Sequence, residues 1–163
     1  MPVLAALDAL RVRARAIPLD AASRQAWAAR MNGLASMQLM GVVIDLTDPA
    51  VAQLRLDTVH EAHRGGLGTS AVNGAVIAGM FDAALGVAGT LQFEGRRAGT
   101  IELSIKLMRP VFTAPLEMLA VTIKRSAHLA FTEAELYADQ RLCAIASGIV
   151  AIASLPTDGE NFW

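Results

Sequence analysis

"AVNGAVIAGMFDAALGVAG", residues 71–89, holds one charged side chain, Asp82, in a run that otherwise reads as protein interior. Asn73 is a good helix N-cap, Gly74 can follow it, and residues 75–87 are mostly small or aliphatic, as an enclosed helix requires. Gly79 and Gly86 each cost about 1 kcal/mol against Ala inside a helix, so they point to close approach by a neighbouring backbone. Burying Asp82 in such company costs several kcal/mol unless it is paired, hydrogen-bonded or held partly neutral. Folding alone does not explain it, and the carboxylate reads as functional. The competing reading is an Asp that points through a gap to water or bonds a strand's backbone.

Around this helix the chain reads as strands. After it come "TIELSIKLMRPV", "LEMLAVTIKRS", "AFTEAELYADQ" and "RLCAIASGIVAIASLP". The first alternates cleanly, with Ile101, Leu103, Ile105 and Leu107 on one face. Before it, residues 34–57 hold the apolar run "LMGVVIDL", the turn signal Thr47-Asp48-Pro49 and the alternating "VAQLRLD", which together read as a strand pair. Residues 58–70, "TVHEAHRGGLGTS", read as a loop. One helix with strands on both sides implies an α+β arrangement, a curved antiparallel sheet wrapped around the helix, which would then be buried nearly all round.

Residues 1–32 are rich in Ala, Leu and Arg, and Pro18 divides them into two candidate helices. Leu4, Leu7 and Leu10 would line one face of the first. Arg11, Arg13 and Arg15 are too widely spread on a helix to form a phosphate-binding patch by themselves and read as a solvated face. The division expected is a helical extension over 1–33, one domain over 34–155 and a tail over 156–163.

Composition narrows the function classes. With 163 residues, 14 basic and 15 acidic, the net charge of −1 offers no field for nucleic acid or an anionic membrane surface. From Gly65 to Phe93 only Asp82 is charged, a length that would permit a membrane span. Seven glycines and a central carboxylate argue against one. The N-terminus lacks a signal-peptide pattern, because Asp8 and Arg11 interrupt it early. The single cysteine, Cys143, has apolar strand neighbours and reads as a buried small hydrophobe. A cytoplasmic protein is the expectation.

Asn73-Gly74-Ala75 followed by Asp82-Ala83-Ala84-Leu85-Gly86 resembles, without a gap, the His-Gly-Gly and Asp-x-Ala-x-Gly signature of hotdog-fold acyl-CoA thioesterases of the phenylacetate-pathway (PaaI-like) type. The segment ending in Arg109-Pro110 is similar to that family's strand ending in Arg-Pro, and the resemblance covers roughly residues 34–155. It implies a hotdog fold and an acyl-CoA or aryl-CoA substrate hydrolysed at the interface of a homodimer, alone or within a dimer-of-dimers tetramer. It implies Asp82 as general base or nucleophile and the Gly74 N–H as donor to the thioester carbonyl, aided by the positive helix N-terminus. Neither role needs a metal or another cofactor. The family's histidine is Asn73 here, and an amide cannot take up a proton near neutral pH, so proton duty falls further on Asp82. An alternative is a non-catalytic acyl-CoA-binding or regulatory hotdog domain. A hotdog dehydratase or hydratase ranks third, since it would want a histidine on this helix.

Spacing adds its own argument. Gly74 and Asp82 lie eight residues apart, about 12 Å along a helix, so one helix cannot present both to one carbonyl carbon. Two antiparallel copies about a twofold axis could. Of the remaining candidates, His63, Arg64 and Gly65 sit in the loop before the helix and Arg109 at a strand end, positions suited to the mouth of a substrate site. Coenzyme A carries phosphates, so basic residues among Arg109, Lys124, Arg125 and Arg96-Arg97 should gather near that mouth. His60 and His63 have the spacing of a metal pair, but the flanking glycines and the want of a third ligand argue against it.

Overall fold

The computed structural model describes residues 2–94 and 96–153, so the tail expected over 156–163 lies outside the described residues. Two helices lead, α1 (Pro2–Arg13) and α2 (Ala21–Asn32), followed by a short α3 (Ala35–Met40). Asp20 caps α2, its carboxylate accepting the Ser23 N–H at 2.7 Å. Strands β1 (Val42–Asp45) and β2 (Val51–Leu56) form the expected pair around the Thr47-Asp48-Pro49 turn. Residues 34–40, read as apolar strand from sequence, are instead largely α3; Gly41, in the left-handed region at φ 67°, ends that helix and turns the chain into β1. Two short strands, β3 (Arg64–Gly66) and β4 (Ala71–Val72), precede α4 (Gly74–Thr90). Then come β5 (Ala98–Leu107), β6 (Leu116–Arg125), β7 (Leu129–Ala138) and β8 (Arg141–Ile152).

Six strands form one antiparallel sheet in the order β1-β2-β6-β7-β8-β5. α4 lies across it, packed on β2, β5, β6, β7 and β8. This is the α+β hotdog arrangement, a long helix held against an antiparallel sheet. The pleat sorts β6 onto two cores: Leu116, Met118 and Ala120 pack with α4, whereas Leu119 and Val121 face the other way, under α1. Leu7 and Leu10 of α1 cover them, and burying Leu10 contributes about 1.5–3 kcal/mol. Leu4, expected on that face, is exposed instead, and Val3 and Ala6 take its place beside Leu7. Arg11 pairs with buried Asp48, and Arg13 with Glu133 and Glu135, pinning α1 across the outer face of the sheet.

The main correction concerns α4. Ile77, Met80, Phe81, Ala84, Leu85 and Ala88 are buried, but Ala75 and Asp82 are exposed, and Ala78, Gly79, Ala83 and Gly86 are half-buried. At 3.6 residues per turn these open positions form one stripe. The helix is therefore sheathed by its own chain on one side only, and the expected all-round burial does not hold within the protomer. A small-residue stripe is what the apolar run conceals: Ala and Gly count as apolar in sequence, yet they leave backbone accessible to a neighbour.

Candidate active site

Asn73 begins α4 in extended conformation (φ −65°, ψ 137°), and its Oδ1 accepts the Ala75 N–H at 2.9 Å. The Asn73 carbonyl accepts from Val76 and Ile77. The Asn73 N–H donates to the His63 carbonyl at 2.7 Å, which fixes the loop before the helix to its first turn. These bonds satisfy every first-turn amide but that of Gly74. Among the described residues, the Gly74 N–H has no partner, and neither does the Asn73 Nδ2. An unsatisfied N–H at the positive end of a 17-residue helix is the arrangement that stabilises a carbonyl oxygen gaining negative charge.

Gly74 opens onto an apolar pocket of about 310 Å³ walled by Leu67, Val72, Ile77, Leu107, Met108 and Val111. A Cβ at position 74 would lie 3.3 Å from Leu107 Cδ1, so the missing side chain is what lets a ligand approach the helix end. Leu67 sits at the rim, 84% exposed, in a loop where Gly65 (φ 106°), Leu67 (φ 57°) and Gly68 (φ 66°) all adopt left-handed backbone. That conformation costs a leucine about 1 kcal/mol or more and aims an apolar side chain at the pocket mouth. Met80, Phe81 and Leu85 lie on the covered side of α4, in the core.

The sequence candidates fall into two groups. Gly74 and Arg109 line the apolar pocket, and Asn73 caps the helix beside it. Arg109 also donates to the Leu142 carbonyl, which holds the guanidinium against β8. Asp82 is exposed on the open stripe two turns along α4, and its carboxylate makes no hydrogen bond among the described residues. His63 and Arg64 are occupied in holding the loop. The His63 ring is buried, with Nδ1 accepting the His60 N–H at 3.1 Å, and its edge lies against Gly41. Arg64 donates to the Ser70 carbonyl at 2.7 Å and pairs with Glu61. Gly65 lies with Arg64 along a shallow surface depression. No group of three His, Cys, Asp or Glu among the described residues has the arrangement of a metal site. No described helix is long and apolar enough to cross a membrane. Cys143 is buried, as its strand neighbours suggested.

A model of the thioesterase superfamily matches residues 70–145, a span that begins at the α4 cap and runs into β8. Together with the solved thioesterase structures that share its hotdog fold, this match supports a thioester hydrolase. Its fold is shared by the PaaI protein of E. coli from the phenylacetic acid degradation operon, at 19% identity and a TM-score of 0.71, covering 83% of this chain and 97% of that one. A conserved protein of Pseudomonas aeruginosa aligns at 23% identity and TM-score 0.68, over 77% of this chain and 99% of its own. A putative thioesterase of Ralstonia eutropha, described as related to phenylacetic acid degradation, gives 20% identity and TM-score 0.64 over 77% and 99%. No curated protein sequence matches the chain.

Proposed function

We propose that this thioesterase cleaves an acyl-CoA or aryl-CoA at a site shared by two protomers, with the Gly74 N–H of one and Asp82 of the partner subunit acting on the same thioester. The observation that carries this reading is the apolar pocket ending on the one unsatisfied amide of the α4 N-terminus. An acyl chain fills the pocket and its carbonyl oxygen meets the Gly74 N–H. The carboxylate cannot come from the same helix, since eight residues separate the two by about 12 Å. Three features support a twofold partner: the Ala75-Ala78-Gly79-Asp82-Gly86 stripe, the unpaired edge of β5, and exposed Ile101 and Leu107 on that strand. Antiparallel packing of two such stripes brings each Asp82 towards the other helix's N-terminus and excludes water around it.

In the base route Asp82 takes a proton from water as the oxygen adds to the thioester carbon. The resulting oxyanion accepts the Gly74 N–H, and the Asn73 Nδ2 is free to donate to it or to the water. Collapse breaks the carbon–sulfur bond, releasing the carboxylic acid and the thiolate of coenzyme A, which takes up the proton. In the nucleophile route the Asp82 carboxylate adds to the carbonyl carbon, the carbon–sulfur bond breaks to release the coenzyme A thiolate and leave a mixed anhydride, and water then hydrolyses that anhydride to the free acid, restoring the carboxylate and supplying the proton that the thiolate takes up.

The test is thiol release from short, medium, long and aromatic acyl-CoAs by native protein and by Asp82→Asn. Turnover of one class by native protein, with kcat reduced about 10²–10⁴-fold in the variant, supports both substrate class and residue role. Full activity in Asp82→Asn overturns the role of Asp82. Release from none of the CoA thioesters overturns the acyl-CoA assignment.

A further inference from the structure

At the other end of α4 lies a second cavity of about 310 Å³, and its character is the opposite of the first. Three arginines from distant parts of the chain meet there: Arg15 beyond α1, Arg96 beyond α4 and Arg125 at the end of β6. Gln92 and Phe93 line it from the end of the helix, and Glu94 is the one acid in its wall. Arg11, Arg13, Arg55 and Arg64 are each paired with a carboxylate elsewhere in the chain. Among the described residues the guanidinium groups of Arg15, Arg96 and Arg125 have no hydrogen-bonded or ionic partner, and that of Arg125 lies over the Phe93 ring, 5.2 Å from its centroid.

The walls are preorganised. The Arg15 N–H donates to the Thr122 carbonyl at 2.8 Å, the Arg96 N–H to the Phe93 carbonyl at 3.0 Å, and Gln92 Nε2 to the Ala16 carbonyl at 3.2 Å. Three converging guanidinium groups repel one another and, with one carboxylate nearby, leave an uncompensated positive hollow. The negative C-terminal end of α4 favours cations within its last turn, but an exposed charge there contributes under about 1 kcal/mol and does not call for three arginines from three segments. We propose that this cavity binds a phosphate-bearing anion, whose oxygens the planar guanidinium forks recognise in bidentate fashion. Two sources carry that chemistry: the nucleotide end of the acyl-CoA substrate, or a separate nucleotide. Phosphate binding rests on the arginines alone; assigning the occupant to the substrate rests also on the acyl-CoA reading.

The experiment is calorimetric titration of the full chain with adenosine 3′,5′-bisphosphate and with inorganic pyrophosphate, at low and high salt. Native protein binds at least one probe, more weakly as salt rises; the double variant R96A with R125A binds at least tenfold more weakly; E94Q binds several-fold more tightly. Equal affinity in native protein and the double variant, affinity unmoved by E94Q, or no binding of either probe to native protein overturns the site. A non-cleavable thioether analogue of acyl-CoA then identifies the occupant. Displacement of the bisphosphate by the analogue assigns the site to the substrate's own nucleotide, and simultaneous binding assigns it to a separate one; both support the site. None of these readouts involves hydrolysis, so failure here and failure of the thioesterase mechanism are told apart.

Discussion

The two ends of α4 are built from one continuous helix and finished in opposite ways. At the N-terminus a neutral amide, Asn73, serves as the cap, the Gly74 N–H is left unpaired, and the walls are aliphatic. At the C-terminus Thr122 Oγ1 donates to the Ala88 carbonyl at 2.9 Å, Gly89 is pressed against Val150, and the cavity beyond is lined with arginines. One end is left open beside apolar walls, and the other is locked into the sheet and presents charge outward. The contrast teaches that an uncharged cap and a missing first side chain leave a helix N-terminus open to a neighbouring pocket. α2 supplies the contrast: its cap is Asp20, whose carboxylate accepts the Ser23 N–H and whose charge complements the helix end.

The sharpest way to break this comparison is Gly74→Pro. Proline is well tolerated at the first position of a helix, and the extended backbone of Asn73 suits a following proline, so the helix is kept while the N–H is lost and the ring takes up space at the pocket end, where a Cβ meets Leu107 Cδ1 at 3.3 Å. We expect kcat to fall about 10²–10³-fold with the melting temperature little changed. Thioester turnover and thermal unfolding of the same preparation check this, and an undiminished kcat would remove the functional distinction between the ends.

The next largest effect lies at the closed end. A Cβ at Gly89 would stand 2.5 Å from Val150 Cγ2, a fully buried side chain with nowhere to go, so Gly89→Ala should cost about 1–3 kcal/mol. The same change at Gly86, on the open stripe, meets Thr100 Oγ1 at 3.3 Å and should move protomer stability by under about 0.5 kcal/mol. Denaturant midpoints of the two variants, measured side by side, test whether the closed and open sides of α4 differ as described.

Asn73→Asp then probes the cap itself. An aspartate keeps the hydrogen bond to the Ala75 N–H and complements the helix dipole, so stability should hold or rise slightly, while the added negative charge opposes the oxyanion. A decrease in kcat of about 5–30-fold, the equivalent of about 1–2 kcal/mol, is expected without loss of stability. The smallest effect is at α2. The Ser23 N–H and hydroxyl hold the Asp20 carboxyl below its ordinary value of 3.8. A depressed carboxylate stabilises the fold above its unfolded pKa, and that contribution is lost as pH falls through the lowered folded value. The melting-temperature gap between native protein and Asp20→Asn should therefore be widest above the ordinary carboxylate range and close under acid.

Much of the site was legible because its signals are local. A lone carboxylate in an apolar helix, an Asn-Gly start and the alternation of β5 each follow from a few neighbouring residues, and the order of four strands after one helix points to the sheet. Residues 34–40 misled because a short apolar run lacks a period long enough to separate strand from helix, and the left-handed turn at Gly41 settles it. His63 looked available because loops usually expose their side chains; here the ring turns inward to meet the His60 N–H. Of the basic residues expected to gather at the mouth, Arg109 lines the apolar pocket, whereas Arg96 and Arg125 meet at the other end of α4; the part of Arg15 was out of reach, since it lies 110 residues from Arg125 in a sequence whose local charge pattern places neither near the other.

By itself, the sequence determined that α4 exists, where it starts, which residue caps it and that Asp82 is its one charge. Those facts depend on hydrogen bonds and side-chain periodicity within a few residues. Only the tertiary structure decided which side of α4 is covered, that Gly74 alone keeps a free N–H beside an apolar pocket, and that three unpaired arginines converge at the far end. Burial and convergence are set by contacts between distant segments, and glycine and alanine, which make up most of the open stripe, are equally at home in a core and at a close-packed surface.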